Sequence, residues 1–206
     1  MTGLVRLVFA VLLLAILAVP AAAQAPSEGR VSVFGSLGFG QLTDDEGSIG
    51  SGIDVGAGVG VRLGRSLALD LAVEQLAHDR PTGFLSWDGR ALRVMGRARY
   101  HFRDPGAAAR PFVGGGLGVM RSSGEVIERV SAPFGPDAGE IVDRREWAFT
   151  GLAWEGGGGV EIAIGSAFVR PEAYWTVGEL DRGARFGIPE PPYIILRFGV
   201  AGGMRF

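Results

Sequence analysis

From Arg30 onward, apolar residues recur at every second position. That is the period of a β-strand whose two faces meet different surroundings. Val31, Val33, Leu37 and Phe39 alternate with Ser32, Ser36, Gly38 and Gly40. Ile53, Val55, Ala57, Val59, Val61 and Leu63 alternate with Asp54, Gly56, Gly58, Gly60 and Arg62. The same holds for Leu67 to Val73 against Ala68 to Glu74, and for Leu92 to Phe102 against Arg93 to His101. Further on, Val113, Leu117 and Val119 alternate with glycines, although Phe112 and Met120 fall on the other face. Leu152 to Ile164, Val169 to Trp175 and Ile194 to Phe206 complete a set of eight predicted strands.

The connections alternate in length. Gly64 to Ser66, Arg103 to Arg110 and Gly165-Ser166 are short, whereas 41–52, 75–89, 121–146 and 176–192 are long. Short turns at one end and long loops at the other describe an up-and-down barrel of the outer-membrane type. The long segments carry the turn-formers and charges, including Thr43-Asp44-Asp45-Glu46-Gly47, Pro133, Pro136, Pro189, Pro191 and Pro192.

Hairpin registers give an internal check. Centring a hairpin on Gly165-Ser166 sets Ile164 against Ala167, Glu161 against Arg170, Gly159 against Glu172 and Gly157 against Tyr174. Centring another on Arg65 sets Val61 against Leu69 and Val59 against Leu71. One register of the third and fourth strands opposes Glu74 to Arg93 and Asp70 to Arg97, a favourable cross-strand pattern.

Alternation does not say which face points inward. In a soluble lipocalin-like barrel the apolar face would be the inner one. Here the polar face is crowded with Gly and Ala, which suits a narrow interior, and the other face carries Leu, Ile, Val, Phe and Trp, which suits lipid. The charges then lie inside. They are Arg62, Asp70, Glu74, Arg93, Arg97, Arg99, Glu155, Glu161, Arg170, Glu172, Arg197 and Arg205. Buried charges must be paired, so these residues are expected to form a salt-bridge network that plugs the lumen. Phe39, Trp147, Phe149 and Tyr193 are expected to form an aromatic girdle at the long-loop end, and Tyr100, Phe102 and Phe206 one at the short-turn end.

Composition adds a compartment. Arg6, the apolar run Leu7 to Val19, and Pro20-Ala21-Ala22-Ala23 have the three parts of a secretory signal peptide, with cleavage expected after Ala23. The apolar run is shorter than the roughly 20 residues that span a bilayer as a helix. No later stretch reaches that length without a charge or glycine, so a spanning form must be a closed barrel. There is no cysteine, which excludes disulfides, thiolate metal sites and a lipidated cysteine. Glycine reaches 35 residues, and every basic residue other than histidine is arginine. The formal charge of −2 falls by one when Arg6 leaves with the leader, which gives no basic footprint for nucleic acid.

The run Arg110-Pro111-Phe112-Val113-Gly114-Gly115-Gly116-Leu117-Gly118-Val119 resembles a strand of the small outer-membrane barrel superfamily, which includes the OmpA transmembrane domain and OmpX. Trp154 to Glu161 and Val169 to Tyr174 are similar to two later strands of that type. The C-terminal strand, with Phe198, Val200, Met204 and Phe206, resembles the signal read by the barrel-assembly machinery. The resemblance implies a family and an outer-membrane location, with outer-membrane lipid, lipopolysaccharide and the assembly machinery as partners. It implies no activity.

Candidate chemistry is sparse. A nucleophile–base site needs Ser, His and an orienting group together. His101 is on the inward face beside Arg99, His78 is expected in a loop beside Asp79, and neither lies in a hydrolase motif. Asp44-Asp45-Glu46 lacks the spacing of a calcium loop and reads as a solvated acidic turn. Gly156 to Gly159 is followed by no Gly-Lys-Ser/Thr, so these are strand glycines rather than a phosphate loop. The arginines of the fourth strand could line an anion path, but the facing carboxylates favour a structural network. The expectation is an all-β, eight-stranded antiparallel up-and-down transmembrane β-barrel over 24–206, after a signal peptide over 1–23. It has no catalytic residues, cofactor or metal, and its role is structural or in surface interaction. A narrow pore, a lipid-modifying enzyme and a soluble periplasmic ligand-binding barrel are the competing readings.

Overall fold

A computed structural model describes residues 31–44, 47–82, 85–129, 141–181 and 193–206. The signal peptide expected over 1–23 lies outside the described residues, as do Asp45, Glu46 and the prolines at 133, 136, 189, 191 and 192. The chain forms β1 (Val31–Asp44), β2 (Gly47–Leu63), β3 (Leu67–Thr82), β4 (Leu85–His101), β5 (Ala109–Arg129), β6 (Ile141–Ile164), β7 (Ala167–Asp181) and β8 (Tyr193–Arg205). All neighbours are antiparallel, and β8 returns to β1 to close the barrel. Closure pairs the backbone groups that an open sheet would leave at its edges, the condition for crossing lipid with strands. No helix among the described residues is long and apolar enough to cross a membrane.

The registers follow the sequence pattern. Val61 faces Leu69, Asp70 faces Arg97, Glu74 faces Arg93 and Gly157 faces Tyr174. The two short hairpins turn at Gly64 (φ 79°) and Gly165 (φ 62°), a left-handed backbone that only glycine adopts at little cost. Along the strand interior, the Tyr174 ring lies over Gly157, so a β-carbon there would come within 2.6 Å of its Cδ1. The narrow lumen holds that large ring only because its cross-strand neighbour has no side chain.

The loops expected over 41–52, 75–89 and 121–146 prove to be largely strand. Ladder pairing runs on to Asp44↔Gly47, Thr82↔Leu85 and Arg129↔Ile141. Backbone pairing needs no apolar alternation, so it outlasts the pattern that marks the lipid-facing segment. A strand of roughly 9–11 residues spans the hydrocarbon. With 21 and 24 residues, β5 and β6 therefore project well past it at the long-loop end.

The face assignment holds. Leu37, Ile53, Leu117, Leu152, Ile164 and Phe198 each expose more than 60% of their surface, all on the outer face. The girdle expectation needs correcting at three positions. Tyr193 is buried in an interior cluster with Leu42, Leu76, Met95, Met120 and Ile195. Trp147 stacks on buried His78 at 6.3 Å, and Phe149 stacks on Trp147 at 5.8 Å. All three share strand parity with inward residues, Trp147 and Phe149 with Glu155 and Tyr193 with Arg197, and parity outranks proximity to a strand end. Phe39 remains outside beside Phe198, and Tyr100 and Phe102 make an outer edge-to-face pair at the short-turn end.

Candidate functional site

The interior is a stack of layers. At the long-loop end lies the apolar cluster around Leu42, Leu76, Met95, Met120 and Ile195. Below it is a charged layer, then a small apolar set of Phe34, Ala72, Phe168 and Ala201, interleaved with a second charged group towards the short turns.

Glu74 organises the middle layer. Arg97 donates to both of its oxygens, from Nη1 at 2.7 Å and Nη2 at 2.6 Å, and Arg197 Nη1 donates at 2.7 Å. Arg93 Nη2 approaches the same carboxylate at 3.4 Å and also donates to Asp54. Arg97 further donates to Glu155. Arg197 Nη2 donates to Glu172 at 2.8 Å, and Arg170 Nε donates to the other Glu172 oxygen at 2.7 Å. The Tyr174 ring packs against two of these guanidiniums, 4.8 Å from Arg97 and 5.2 Å from Arg197.

Arg170 links the layers, lying 3.6 Å from Asp70. Asp70 accepts two bonds from Arg99, from Nε at 2.6 Å and Nη2 at 2.8 Å. Arg99 Nη1 also donates to Glu161 at 3.2 Å. Glu161 accepts further from Arg205 at 2.9 Å and Arg110 at 3.4 Å. His101 is buried, its Nε2 3.3 Å from Arg99 Nη1. The same nitrogen lies 3.8 Å from Glu161 Oε1, so the ring sits between a guanidinium and a carboxylate.

Every expected lumen charge faces the interior, and all but Arg62 and Arg205 are buried. Arg62 is half-buried and lines a cavity with Arg99, His101, Glu161 and Arg205. The bonding differs from the simple cross-strand expectation. Asp70 opposes Arg97 in the ladder yet binds Arg99, and Glu74 opposes Arg93 yet is bound most closely by Arg97. Long arginine side chains reach the diagonal neighbour rather than the one directly opposite.

Two members were missed in the sequence. Asp54 is on the inner face of β2 and was visible by parity. Arg110 was assigned to a turn but is fully buried in β5, where it donates to the carbonyls of Arg65 at 3.0 Å and Arg103 at 3.3 Å, tying two short turns together. His78, expected in a loop, is a buried β3 residue. Among the described residues, no group of three or more His, Asp or Glu side chains could hold a metal. Phe198, Val200, Met204 and Phe206 present their side chains outward, and the Phe206 amide donates to the Val31 carbonyl at 2.8 Å on the closing seam.

Known proteins share this architecture. The family model described as outer membrane protein beta-barrel domain matches residues 9–170, so the chain belongs to that family. No curated protein matches it. Among solved structures, Neisserial surface protein A is similar over 85% of this chain and 97% of its own, at 14% identity with a TM-score of 0.60. Ail, the attachment invasion locus protein of Yersinia pestis, is similar over 87% of this chain and 100% of its own, at 12% identity with a TM-score of 0.56. At such identities the likeness is one of fold.

Proposed function

We propose that this protein is a sealed, non-catalytic barrel of the outer membrane with a structural or surface-interaction role. The observation that carries the reading is the filled lumen. An apolar layer and a continuous arginine–carboxylate network fill the interior, and Arg93, Arg110, Arg170 and Arg197 are each 0–2% exposed. Such a fill leaves no aqueous path of the porin kind. What the protein offers to its surroundings is then its outer belt and its projecting strands. The apolar belt meets outer-membrane lipid and lipopolysaccharide, and the C-terminal strand with Phe206 engages the assembly machinery.

Beyond the membrane, β5 and β6 present Glu125, Asp143, Arg144 and Arg145, with exposed pairs Arg145–Asp143 at 2.6 Å and Arg144–Glu125 at 3.6 Å. A mixed-charge hairpin of this kind suits a polar partner outside the cell. The two similar structures, a surface protein and an attachment invasion locus protein, support that role.

Planar-bilayer recording on the refolded chain tests the sealed lumen. The expected result is a flat baseline at ordinary voltages. Stable unitary steps would replace this reading with that of a narrow pore.

A further inference from the structure

Near the long-loop end, one rung of the inner face reads His78 on β3, Gly89 on β4, Gly124 on β5 and Trp147 on β6. In a flat sheet, three strand spacings would set the two end residues roughly 14 Å apart. Their rings nevertheless stack, with centroids 6.3 Å apart and planes inclined by 29°. The two central glycines leave the room. A β-carbon at Gly89 would come within 2.7 Å of His78 Cε1 and 3.0 Å of Trp147 Cζ2, and one at Gly124 within 2.9 Å of the same Cζ2. The stack is a tie across the concave side of the sheet that β3 to β6 form. It grips β6 where that strand, among the described residues, is laddered on one side alone, since β7 pairs with β6 only from Thr150 onward.

The tie is held by a histidine without a hydrogen bond. His78 is 2% exposed, and neither ring nitrogen has a partner. Nδ1 lies against Gly50 of β2 and Nε2 against Gly89, 3.0 Å and 2.9 Å from where their β-carbons would be. The charged side chains described on the same face of the packed strands are engaged elsewhere. Asp54 of β2 bonds Arg93 of β4, and Glu74 of β3 and Glu155 of β6 bond Arg97, all in the middle layer. Arg145 and Asp143 of β6 bond each other, and Arg110 of β5 is at the short-turn end. Asp79 and Asp88 oppose each other on the outer face, beside the ring. The lipid-facing run of β3 ends at Val73, so His78 lies past the hydrocarbon on the long-loop side. Burial pushes its imidazole below the usual histidine value, against the pull of Asp88 and Asp79. An imidazolium needs an acceptor at each nitrogen. Among the described residues the slot offers none, so proton uptake favours the ring outside it.

We propose that the His78–Trp147 stack is an acid-released latch that sets the inclination of the projecting β5–β6 strands, the surface offered to a partner outside the cell. A released imidazole binds protons with ordinary affinity and the latched one binds them less well. The closed form is therefore favoured above about pH 6.5 and loses ground below it, by up to about tenfold per pH unit. The consequence for a partner rests on the surface-interaction reading; the latch itself does not, and neither depends on a sealed lumen.

The chain has no cysteine, so Gln41→Cys on β1 and Ala148→Cys on β6, both exposed, accept a pair of spin labels in the full chain refolded into vesicles. Pulsed electron resonance measures their separation at pH 7.5 and at pH 5, above the ordinary carboxylate range. The expected result is one short distance at pH 7.5 and a second, longer one at pH 5, whose share relative to the first rises by about tenfold or more. His78→Phe keeps a ring that takes no proton and should hold the short distance at both pH values. Trp147→Ala should show the longer distance at both. His101 is present in every variant, so its titration cancels from the comparison, and a mobility shift between unboiled and boiled gel bands verifies that each variant is folded. The same separation at both pH values in the labelled parent, a shift that persists in His78→Phe, or a folded Trp147→Ala that keeps the short distance would overturn the proposal.

Discussion

Replacing Glu74 with Gln is expected to lower barrel stability by about 3–5 kcal/mol, the cost of breaking a buried ion pair by removing one partner. Glu74 is 1% exposed and takes hydrogen bonds from Arg97 and Arg197, with Arg93 close by. The substitution keeps the shape of the side chain and removes its charge. Three guanidiniums then share Asp54, Glu155 and Glu172, and one amide N–H₂ group is aimed at donors. Denaturant unfolding in lipid vesicles, followed by tryptophan fluorescence, measures the loss. Glu125→Gln provides the comparison, because its pair with Arg144 is exposed and solvent-screened. It should leave the midpoint close to wild type. A Glu74→Gln midpoint that matches the Glu125→Gln midpoint would contradict the network as the main filling of the lumen.

Leu117→Arg carries the other large effect. Leu117 is 74% exposed at the middle of β5, opposite Gly96 on one side and Trp154 on the other. If that face meets hydrocarbon, an arginine near the midplane costs about 2–4 kcal/mol. If the same face met water, an exposed leucine could become arginine with a change within about 0.5 kcal/mol. The two environments thus predict clearly different unfolding midpoints in vesicles. An unchanged midpoint would mean that the apolar belt does not face lipid.

Much of the fold was legible because the barrel imposes one rule on every strand. Period two identified the eight strands, and the charge pairs Glu74/Arg93 and Asp70/Arg97 fixed a register that the ladder reproduces. The rule falters where the interior is apolar. Leu42, Leu76, Met95, Met120 and Ile195 point inward although they are hydrophobic. Met120 therefore blurred the fifth strand, and the layer that caps the charges went unseen. Strand ends were hard to place for a related reason. Beyond the lipid no contrast between faces is enforced, so Arg121 to Arg129 carries no alternation although it is paired throughout. Trp147, Phe149 and Tyr193 show that parity, counted from an anchored neighbour such as Glu155 or Arg197, is a better guide than position along the strand. The partner choice within the network was beyond pattern reading, because arginine reach selects diagonal neighbours, as Arg99 does for Asp70.

The placement to be tested is a closed barrel with its apolar face in the lipid of the outer membrane. Fractionating cells that express the full chain, then running the detergent-extracted outer membrane on a gel with and without boiling, tests it most directly. The expected result is that the protein is in that fraction and that the unboiled band migrates differently from the boiled one. Recovery in the soluble periplasm, with one mobility under both conditions, would contradict it and reverse the assignment of the two faces.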